Sequence, residues 1–461
     1  MTDLAQSIQA LLAGLLLNFL QIEAPSAPAE PGATPSIRPQ TEVSHREAAQ
    51  LVADHPEFWS APFVLANRET REIWVWGQVT GMIPGDPVEF FVIYEQSGQD
   101  YESLMVTFAK PSDIHKALEF IGLQPVGPVD PARHRFWPRG DHVIPTFSFV
   151  PKDAEEPIEV PAHEWIVHPD ESVMKPGTWV FTGAPMLPDP GDPETKVYAA
   201  DVFGPNSVAS TFNLRNTLFD LPKQGSKTGM YGHYNRNPAI EVAEAAPVIL
   251  HLTPPAPDDL ITETDLKIQV LDAEANLMVQ GLPGVESTTL EALSQNLAER
   301  EDQIFWIEVD FASEVPLSTL INFSRQLEAI ENASDKLRVE PPPTGQLYYQ
   351  AYNPDARYRD RNNRPTQPLE LQLRVDTEGQ VNAHYIEIDE QWGEGRRPNL
   401  IERRHDLTSP EAWGERITND PPLVRVLFVF APGELRHEDL LKWLTPVLET
   451  FPVVFVYDLE N

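Results

Sequence analysis

Residues 101–122 read YESLMVTFAKPSDIHKALEFIG and combine a strand, a stop and a helix in one short run. The alternation in its first half is typical of a largely buried strand, and Pro111 ends that strand. We predict that Ser112 is the N-cap of the following helix, because its hydroxyl can accept a bond from a first-turn N–H. Asp113 adds a negative charge at the positive helix end, and Gly122 supplies the C-terminal stop. The run therefore predicts a strand–helix unit in a domain that mixes α and β structure.

Four further sequence blocks accompany this stretch: GQDYES at residues 98–103, WVFTG at 179–183, YAAD at 198–201 and NRNP at 235–238. Together with KPSDIH at 110–115, they make residues 44–252 resemble the YdjY family. The GQDYES block departs slightly from the GK-YES type of turn in that family. The resemblance implies a mixed α+β domain and an exported setting. It implies no particular reaction, because the family has no settled biochemical activity.

The chain is strongly acidic. It has 461 residues, with 34 Lys and Arg against 70 Asp and Glu, and its formal net charge is −36. This charge argues against binding to nucleic-acid phosphates and against docking on anionic lipid, since both need basic patches. A solvated, self-repelling surface is the simplest interpretation, and a divalent-cation-binding acidic protein is the alternative. The lack of cysteine excludes disulfides, thiolate metal sites, cysteine nucleophiles and a lipid anchor on cysteine.

Residues 1–22 form a signal-like apolar segment, with IQALLAGLLLNFLQI at 8–22 and the small-residue run APSAPA at 24–29. A signal peptide normally has a positive start, and no Lys or Arg precedes this apolar run. We expect an exported protein of the periplasm or cell envelope. An uncleaved helix that touches the membrane and a mis-assigned start codon are the alternatives, and membrane association is expected only through this segment. Residues 23–45 are predicted to be a Pro/Ala linker.

The remaining chain divides into a YdjY-like domain at residues 46–253 and two repeats at 262–345 and 346–461. Each repeat has the order β-hairpin, helix, strand, helix, strand. Alternating strands are predicted near 266–270 and 369–375, and helices begin at TTLE (288–291) and SPE (409–411). The predicted class is α+β: a mixed YdjY-like domain followed by two small α/β two-layer sandwich repeats.

The element order of the repeats resembles that of the periplasmic domain of ExbD and TolR proteins. The resemblance covers roughly residues 262–340 and, more loosely, 368–460. It implies a module for pairing or scaffolding. The proton-coupled motor role of those proteins is not implied, because no comparable transmembrane helix is predicted before either repeat.

Four histidines and two carboxylates are the candidate metal ligands in the first domain: His134, His142, His163, His168, Glu164 and Asp170. Imidazoles and a carboxylate are typical zinc ligands, although no pair has the helical spacing of an HExxH site. Solvated loop histidines are the alternative.

Three acidic residues, Asp189, Asp192 and Glu194, have oxygen-rich spacing that suggests calcium, although the EF-hand pattern is absent. A proline-rich acidic turn is the alternative. No cofactor is expected.

Lys110, Asp113 and His115 are the candidate acid–base set. Helix capping and strand ending account for the first two residues without any catalysis.

A local basic run, formed by Arg357, Arg359, Arg361 and Arg364, stands out in the acidic chain. It is either a solvated loop or a latch onto an acidic face of this chain or of a partner.

The leading functional hypothesis is a non-enzymatic envelope protein that acts as a protein-interaction or scaffold module. Its partner would be another envelope protein or a cell-wall component, and homo-oligomerisation stays open. The hypothesis rests on the repeats and on the absence of GxGxxG, Walker, GxSxG and HExxH motifs from the sequence. The alternative is a metal-dependent hydrolase or redox accessory that uses the region between His134 and Asp170.

Overall fold

The computed structural model describes residues 2–23, 36–129, 137–174, 177–223, 234–256, 262–300, 303–340, 347–349, 358–359, 365–366, 369–391, 399–422, 426–451 and 453–459. They form two compact units, which we call unit 1 (described residues up to 256) and unit 2 (described residues from 262). Each unit has its own apolar core. Both units combine helices with sheets, so the predicted mixed α+β class is confirmed.

Unit 1 contains four helices: α1 (Thr2–Leu20), α2 (Arg38–Leu51), α3 (Pro111–Phe120) and α4 (Ala199–Val202). The first two contact each other, and their apolar faces bury Leu12, Phe19 and Ala48 in the core of unit 1. Helix α2 begins inside the segment that was predicted to be a linker. No helix among the described residues is both long and apolar enough to span a membrane.

The strands of unit 1 are short and mostly buried. In chain order they are β1 (Phe58–Ala61), β2 (Val64–Asn67), β3 (Glu72–Val79), β4 (Phe90–Tyr94), β5 (Ser103–Thr107), β6 (Pro125–Gly127), β7 (Arg139–Gly140), β8 (His142–Phe149), β9 (Ile158–Pro161), β10 (Ile166–Val167), β11 (Trp179–Phe181), β12 (Met186–Pro188), β13 (Lys196–Tyr198), β14 (Ser207–Ser210), β15 (Phe219–Asp220), β16 (Asn235–Arg236) and β17 (Pro247–Thr253).

Most of these strands belong to one sheet that closes on itself. Its order is β3-β17-β8-β11-β15-β14-β4-β5, and β5 pairs back onto β3 in antiparallel fashion. The pairs β4–β5 and β14–β15 are parallel. Strands β1 and β2 extend the sheet beyond β3, and β9 pairs with β8. Strand β5 therefore lies between β3 and β4.

Glycine at position 77 makes the closure of the sheet sterically possible. Gly77 is paired with Thr107 where β3 meets β5. A Cβ atom at this position would collide with the carbonyl oxygen of Val106 and the side chain of Met105. A larger residue would therefore push β5 away from β3 at the point where the sheet closes.

Unit 2 begins with a five-stranded sheet. Its strands are β18 (Thr262–Val270), β19 (Leu277–Gln280), β20 (Ser287–Thr288), β21 (Gln303–Phe311) and β22 (Leu337–Glu340), and its helices are α5 (Leu290–Ala298) and α6 (Leu317–Ala333). The strand order is β20-β19-β18-β21-β22. Strand β18 is antiparallel to β19 and parallel to β21, and β21 is parallel to β22.

A six-stranded sheet follows in the same unit. Its strands are β23 (Leu347–Tyr349), β26 (Leu369–Val375), β27 (Val381–Gln391), β28 (Asn399–Leu407), β29 (Val426–Ala431) and β30 (Val453–Asp458), and its helices are α7 (Pro410–Asn419) and α8 (His437–Leu444). The strand order is β23-β30-β29-β26-β27-β28. Strands β24 (Tyr358–Arg359) and β25 (Pro365–Thr366) form a separate pair.

The two sheets share one core and have matching orders. The order of the first sheet, β20-β19-β18-β21-β22, corresponds to the order β28-β27-β26-β29-β30 of the second. Strand β23 is an additional strand beyond β30. Alternating Leu, Ile and Val side chains of β18 and β26 face the same buried cluster, which also receives apolar residues from α5 to α8. The period-2 pattern of these strands explains why one face is apolar and the other polar.

The two sheets meet at a short antiparallel contact, which we call the seam (residues 313–318 and 433–438). Pro316 and Arg436 are opposite each other there in a bridge. Four main-chain bonds cross the seam in two reciprocal pairs: Leu317 N to Leu435 O at 2.8 Å and His437 N to Val315 O at 2.9 Å, then Ser318 N to Gly433 O at 2.9 Å and Glu438 N to Ser313 O at 3.0 Å. Each half thus gives and receives the same bonds, which is the pattern of a two-fold contact.

Candidate functional site

The best-connected polar cluster in unit 1 surrounds α3, and we call it the α3 junction (Ser112, His115, Glu119, Gly183, Ala184, Tyr198 and Asp201). Helix α3 starts at Pro111, and its buried face carries Ile114, Ala117 and Leu118. The apolar spacing of this helix directs His115 toward the strand residues beneath it. The cluster therefore gathers side chains from the KPSDIH, WVFTG and YAAD blocks.

The N-terminus of α3 is held by a residue far away in sequence. The backbone N–H of Ser112 donates to Asp201 Oδ1 of α4 at 2.9 Å. The position before the first helical residue is Lys110, and no side-chain capping bond forms there. The prediction that Ser112 caps the helix is therefore wrong, because Asp201 supplies the carboxylate that favours the positive helix end.

His115 lies between a tyrosine and a glutamate. Its Nδ1 is 2.8 Å from the Tyr198 hydroxyl oxygen, and its Nε2 is 3.4 Å from Glu119 Oε1. The Tyr198 oxygen also accepts from the backbone N–H of Ala184 at 2.9 Å. The imidazole packs edge-on against Phe181 and Tyr198. Three segments of the domain are therefore joined through one histidine ring.

The direction of these bonds follows from the groups involved. A carboxylate only accepts, so the neutral imidazole carries its proton on Nε2 and Nδ1 accepts from the Tyr198 O–H. Burial lowers the pKa of His115, and the Glu119 charge opposes part of that shift. Burial raises the pKa of Tyr198 above its ordinary value. At neutral pH the junction therefore holds an uncharged histidine and an uncharged tyrosine.

Gly183 lets the chain after β11 approach this ring. Its φ is +69°, and an added Cβ would lie 2.9 Å from Pro125 Cβ and 3.2 Å from His115 Cε1. A side chain here would be strained by its backbone conformation and by both neighbours. Close packing against Pro125 and His115 therefore explains why the WVFTG block ends in glycine, and the sequence alone does not reveal these contacts.

The candidate acid–base residues do not converge. Lys110 is exposed, and Asp113 pairs with Lys116 at 2.9 Å along the same helix. His115 instead faces Tyr198 and Glu119. A general base must lie within hydrogen-bond reach of the group it activates, and neither Lys110 nor Asp113 stands in that relation to His115. The α3 junction consequently has the geometry of a structural contact that holds α3, the chain after β11 and the start of α4 together.

The candidate zinc ligands have separate surroundings. His142 Nδ1 is 2.6 Å from Thr178 Oγ1, and His168 packs against Tyr234. Burial lowers the pKa of His163, and Asp170 accepts from the Ser172 hydroxyl. Across the residues that the structure describes, no group of three or more His, Asp or Glu side chains could hold a metal ion. His134 lies outside the described residues.

The candidate calcium ligands belong to the turn between β12 and β13. Asp189 Oδ1 accepts from the Gly191 N–H at 2.7 Å, and Asp192 accepts from the Glu194 N–H and from the Thr195 hydroxyl. The Asp189 and Asp192 oxygens are thus used within the turn itself, as is typical of Asp in turns.

The arginine run is mostly beyond the described chain. Arg357, Arg361 and Arg364 lie outside the described residues, and Arg359 belongs to β24. The latch interpretation of the four arginines stays a prediction.

Two carboxylates with raised pKa values, Asp220 and Glu89, were not predicted from the sequence. Asp220 is buried in β15, where its Oδ1 accepts from the Leu214 N–H at 3.0 Å, and burial raises its pKa to about 8. Burial, together with the nearby Glu102 charge, raises the pKa of Glu89 to about 7. The only available signal was the position of Asp220 between Phe219 and Leu221 in an apolar run.

Comparison with known families gives one match. Residues 64–192 match the model of the YdjY domain. The predicted YdjY resemblance is confirmed for that range, which contains α3 and Gly183. Tyr198 and Asp201, which complete the junction, lie just beyond the YdjY match. No curated protein matches the chain significantly.

Proposed function

We propose that this protein is a non-enzymatic scaffold that acts by association with other proteins, and that unit 2 is an internal duplication. The reciprocal pairing at the seam is the observation that supports this most. The two halves of unit 2 associate with each other through main-chain bonds alone, without a bound substrate. A protein-association role follows most directly from such a module. The YdjY domain in unit 1 would then position unit 2 for its partners in the cell envelope.

Matching local chemistry in the two halves also supports duplication. In the first hairpin, Asp272 Oδ1 accepts from the Glu274 and Asn276 N–H groups. In the second, Asp376 Oδ1 accepts from the Glu378 and Gln380 N–H groups in the same way. The first helix of each half also begins with a hydroxyl cap. These caps are Thr289 to the Ala292 N–H and Ser409 to the Ala412 N–H.

We extend the proposal to the fold of each half, an ExbD/TolR-like sandwich. The support is the element order, since each half has a hairpin, a helix, a parallel strand, a second helix and a final parallel strand. A pairing or scaffold role is what that resemblance implies.

The α3 junction is consistent with a structural part for the YdjY region. His115 and Tyr198 are uncharged at neutral pH and are bonded to each other, so a nucleophile or a free base would first require those bonds to break. Within the described part of the chain, the candidate acid–base residues lie apart. We therefore assign the junction to holding the domain together.

We propose an envelope location because the YdjY resemblance implies export. The packing of α1 favours a form in which residues 2–20 remain attached, because their removal would strip Leu12, Phe19 and Leu20 from the core. N-terminal sequencing of the protein from fractionated cells tests both points. A form that begins after residue 22 would contradict retention of α1.

Cross-linked capture from envelope extract tests the scaffold proposal, with the full chain as bait and His115→Gln as the companion variant. We expect one stoichiometric partner to be captured equally by both forms, since the junction is structural. Stoichiometric metal in the purified protein would contradict the proposal. So would a His115→Gln variant that folds stably but abolishes the protein's effect in cells, when no partner is captured.

A further inference from the structure

A buried carboxyl group of unit 1 plays no part in the α3 junction. Asp220, in β15, is 1% exposed, and its Oδ1 accepts from the Leu214 N–H at 3.0 Å. Its Oδ2 receives no hydrogen bond from any residue that the structure describes. A carboxylate only accepts hydrogen bonds, so in the ionised form this oxygen would be a buried charge without a donor. Burial of an unpaired charge is among the costliest arrangements in a protein interior.

Ser210, at the end of β14, shows which form of the carboxyl group fits this position. Its hydroxyl lies close enough to Asp220 to oppose part of the rise in the Asp220 pKa. The hydroxyl proton, however, is donated to the Phe212 carbonyl at 2.5 Å. The lone pairs that remain on Ser210 Oγ can only accept, and a protonated Asp220 Oδ2 supplies the donor that they need. The polar contacts of Asp220 therefore suit the neutral acid.

Among the described residues, no charged group contributes to the pKa of Asp220. Burial raises this pKa to about 8, and its two hydrogen-bonding neighbours oppose only part of the rise. Val180 of β11 lies opposite Asp220 in the sheet, and Arg215 is exposed. The titratable group on the neighbouring strand β4 is Glu89, whose pKa is raised to about 7 by burial and by a nearby carboxylate.

The bond from Asp220 closes a loop over apolar side chains. The cover loop (residues 211–218) connects β14 to β15, and Asp220 holds it through the Leu214 N–H. Phe212 and Leu214 of this loop pack against three buried side chains, which we call the apolar patch: Phe90, Ile93 and Val106. If the loop left this position, the patch would be uncovered.

We propose that Asp220 is a proton-dependent clasp, whose protonated carboxyl group holds the cover loop against the apolar patch and whose ionisation releases the loop. The closed loop encloses this carboxyl group, whereas an open loop exposes it to water, where an aspartic acid ionises readily. The open form therefore binds fewer protons. The equilibrium shifts toward the open loop as the pH rises from the ordinary pKa of 3.8 toward about 8, and it is constant above that range. This inference concerns unit 1 and does not depend on the scaffold role.

Hydrogen exchange of the cover loop, measured by mass spectrometry on the full chain, tests the clasp. The fixed variant is Asp220→Asn, because an amide accepts from the Leu214 N–H and donates toward Ser210 but cannot ionise. At each pH the wild-type exchange rate is divided by the rate in this variant. The division removes the intrinsic pH dependence of exchange and the titration of Glu89. We expect the ratio to rise roughly 50-fold between pH 6 and pH 8.

Two references show whether the release is local. In the wild type at pH 8, the cover loop should exchange faster than β17, because the loop opens without unfolding of unit 1. The matched control is Asp54→Asn, which changes an exposed aspartate of the same unit. In this control the cover loop should exchange at the wild-type rate at each pH.

Three results would each overturn the proposal: a constant ratio between pH 6 and pH 8, a cover loop that exchanges only as fast as β17, or altered exchange in the control. If Asp220→Asn does not fold, the wild type alone decides. Exchange of the cover loop relative to β21 of unit 2 should then rise by about tenfold or more from pH 6 to pH 8. A constant relative rate would overturn the clasp.

Discussion

The five-stranded and six-stranded sheets of unit 2 share a strand order but differ beside their last strands and in their interiors. Glu331 and Arg338 bond to main-chain groups of β22, whereas β30 pairs with the strand β23. Inside, the first helix of one places Leu293 in the core, where the other places Trp413. The difference teaches that apolar alternation is sufficient to set a topology, whereas individual side chains decide how each sheet is completed.

The outer faces diverge as well. In the five-stranded sheet, the exposed Lys267 forms an ion pair with the half-buried Glu308 at 3.7 Å. In the six-stranded sheet, Phe428, Phe455 and Tyr457 form a buried aromatic cluster. Two halves that meet at a common seam can differ on the surfaces that the seam does not use.

Core truncation should give the largest difference between the sheets. Trp413 is fully buried and packs against Tyr385, whereas Leu293 is the smaller residue at the matching helix position. Trp413→Ala should cost about 3–5 kcal/mol of unfolding free energy, and Leu293→Ala about 2–5 kcal/mol. Urea denaturation measures both. A loss for Trp413→Ala below about 2 kcal/mol would show that the six-stranded sheet is not packed around this tryptophan.

Removing the helix caps should affect both halves equally. Thr289→Ala and Ser409→Ala should each cost about 1 kcal/mol, because each deletes one bond to a first-turn N–H. Thermal denaturation of the two variants, with Ser294→Ala inside α5 as the control, gives the comparison. Markedly unequal losses would argue against equivalent helix starts.

His437 is a titratable difference between the two halves of the seam. His437 matches Leu317 in the reciprocal bonds, is buried, and donates through Nδ1 to the Phe311 carbonyl at 3.0 Å. Burial lowers the pKa of His437 below its ordinary value of 6.5, although the Phe311 bond and Asp310 oppose the shift. The unfolded chain therefore takes up the proton first, and stability present above pH 6.5 is lost as the pH falls below it.

His437→Leu makes this half resemble its partner and should reduce that acid sensitivity. At pH 8 the variant should lose about 1 kcal/mol, because the bond to Phe311 is gone. Denaturation at pH 8 and at pH 5 measures both effects. Equal pH dependence in the two proteins would contradict a buried neutral histidine at the seam.

The surface pair should matter least. Lys267→Ala or Glu308→Ala should change stability by less than about 1 kcal/mol, and added salt should erase the effect, because the Lys267 side chain is exposed and Glu308 is only half-buried. A double-mutant cycle with and without salt measures the coupling. A salt-resistant coupling above that size would assign the outer face a structural role.

Local signals in the sequence predicted local structure well. The helix starts within TTLE and SPE were predictable, because the N–H that a capping hydroxyl engages lies within the same turn. Ser112 was not, because the group that engages its N–H is Asp201, which is remote in the chain. The closure of β5 onto β3 and the convergence of His115 with Tyr198 also depend on long-range pairing. The burial of Glu331 was not predicted, because a helical pattern does not reveal which neighbouring main-chain N–H an acidic side chain meets.

The central claim is that the two halves of unit 2 pair reciprocally at the seam, and a disulfide trap tests it most directly. The chain has no cysteine, so Pro316→Cys with Arg436→Cys introduces a single pair. The flanking bonds make these residues a non-hydrogen-bonded antiparallel pair, with Cα atoms about 4.5 Å apart, within disulfide range. Mild oxidation should give a monomeric, intrachain disulfide with no free thiol. Free thiols after oxidation, or a disulfide that links two chains, would contradict the account.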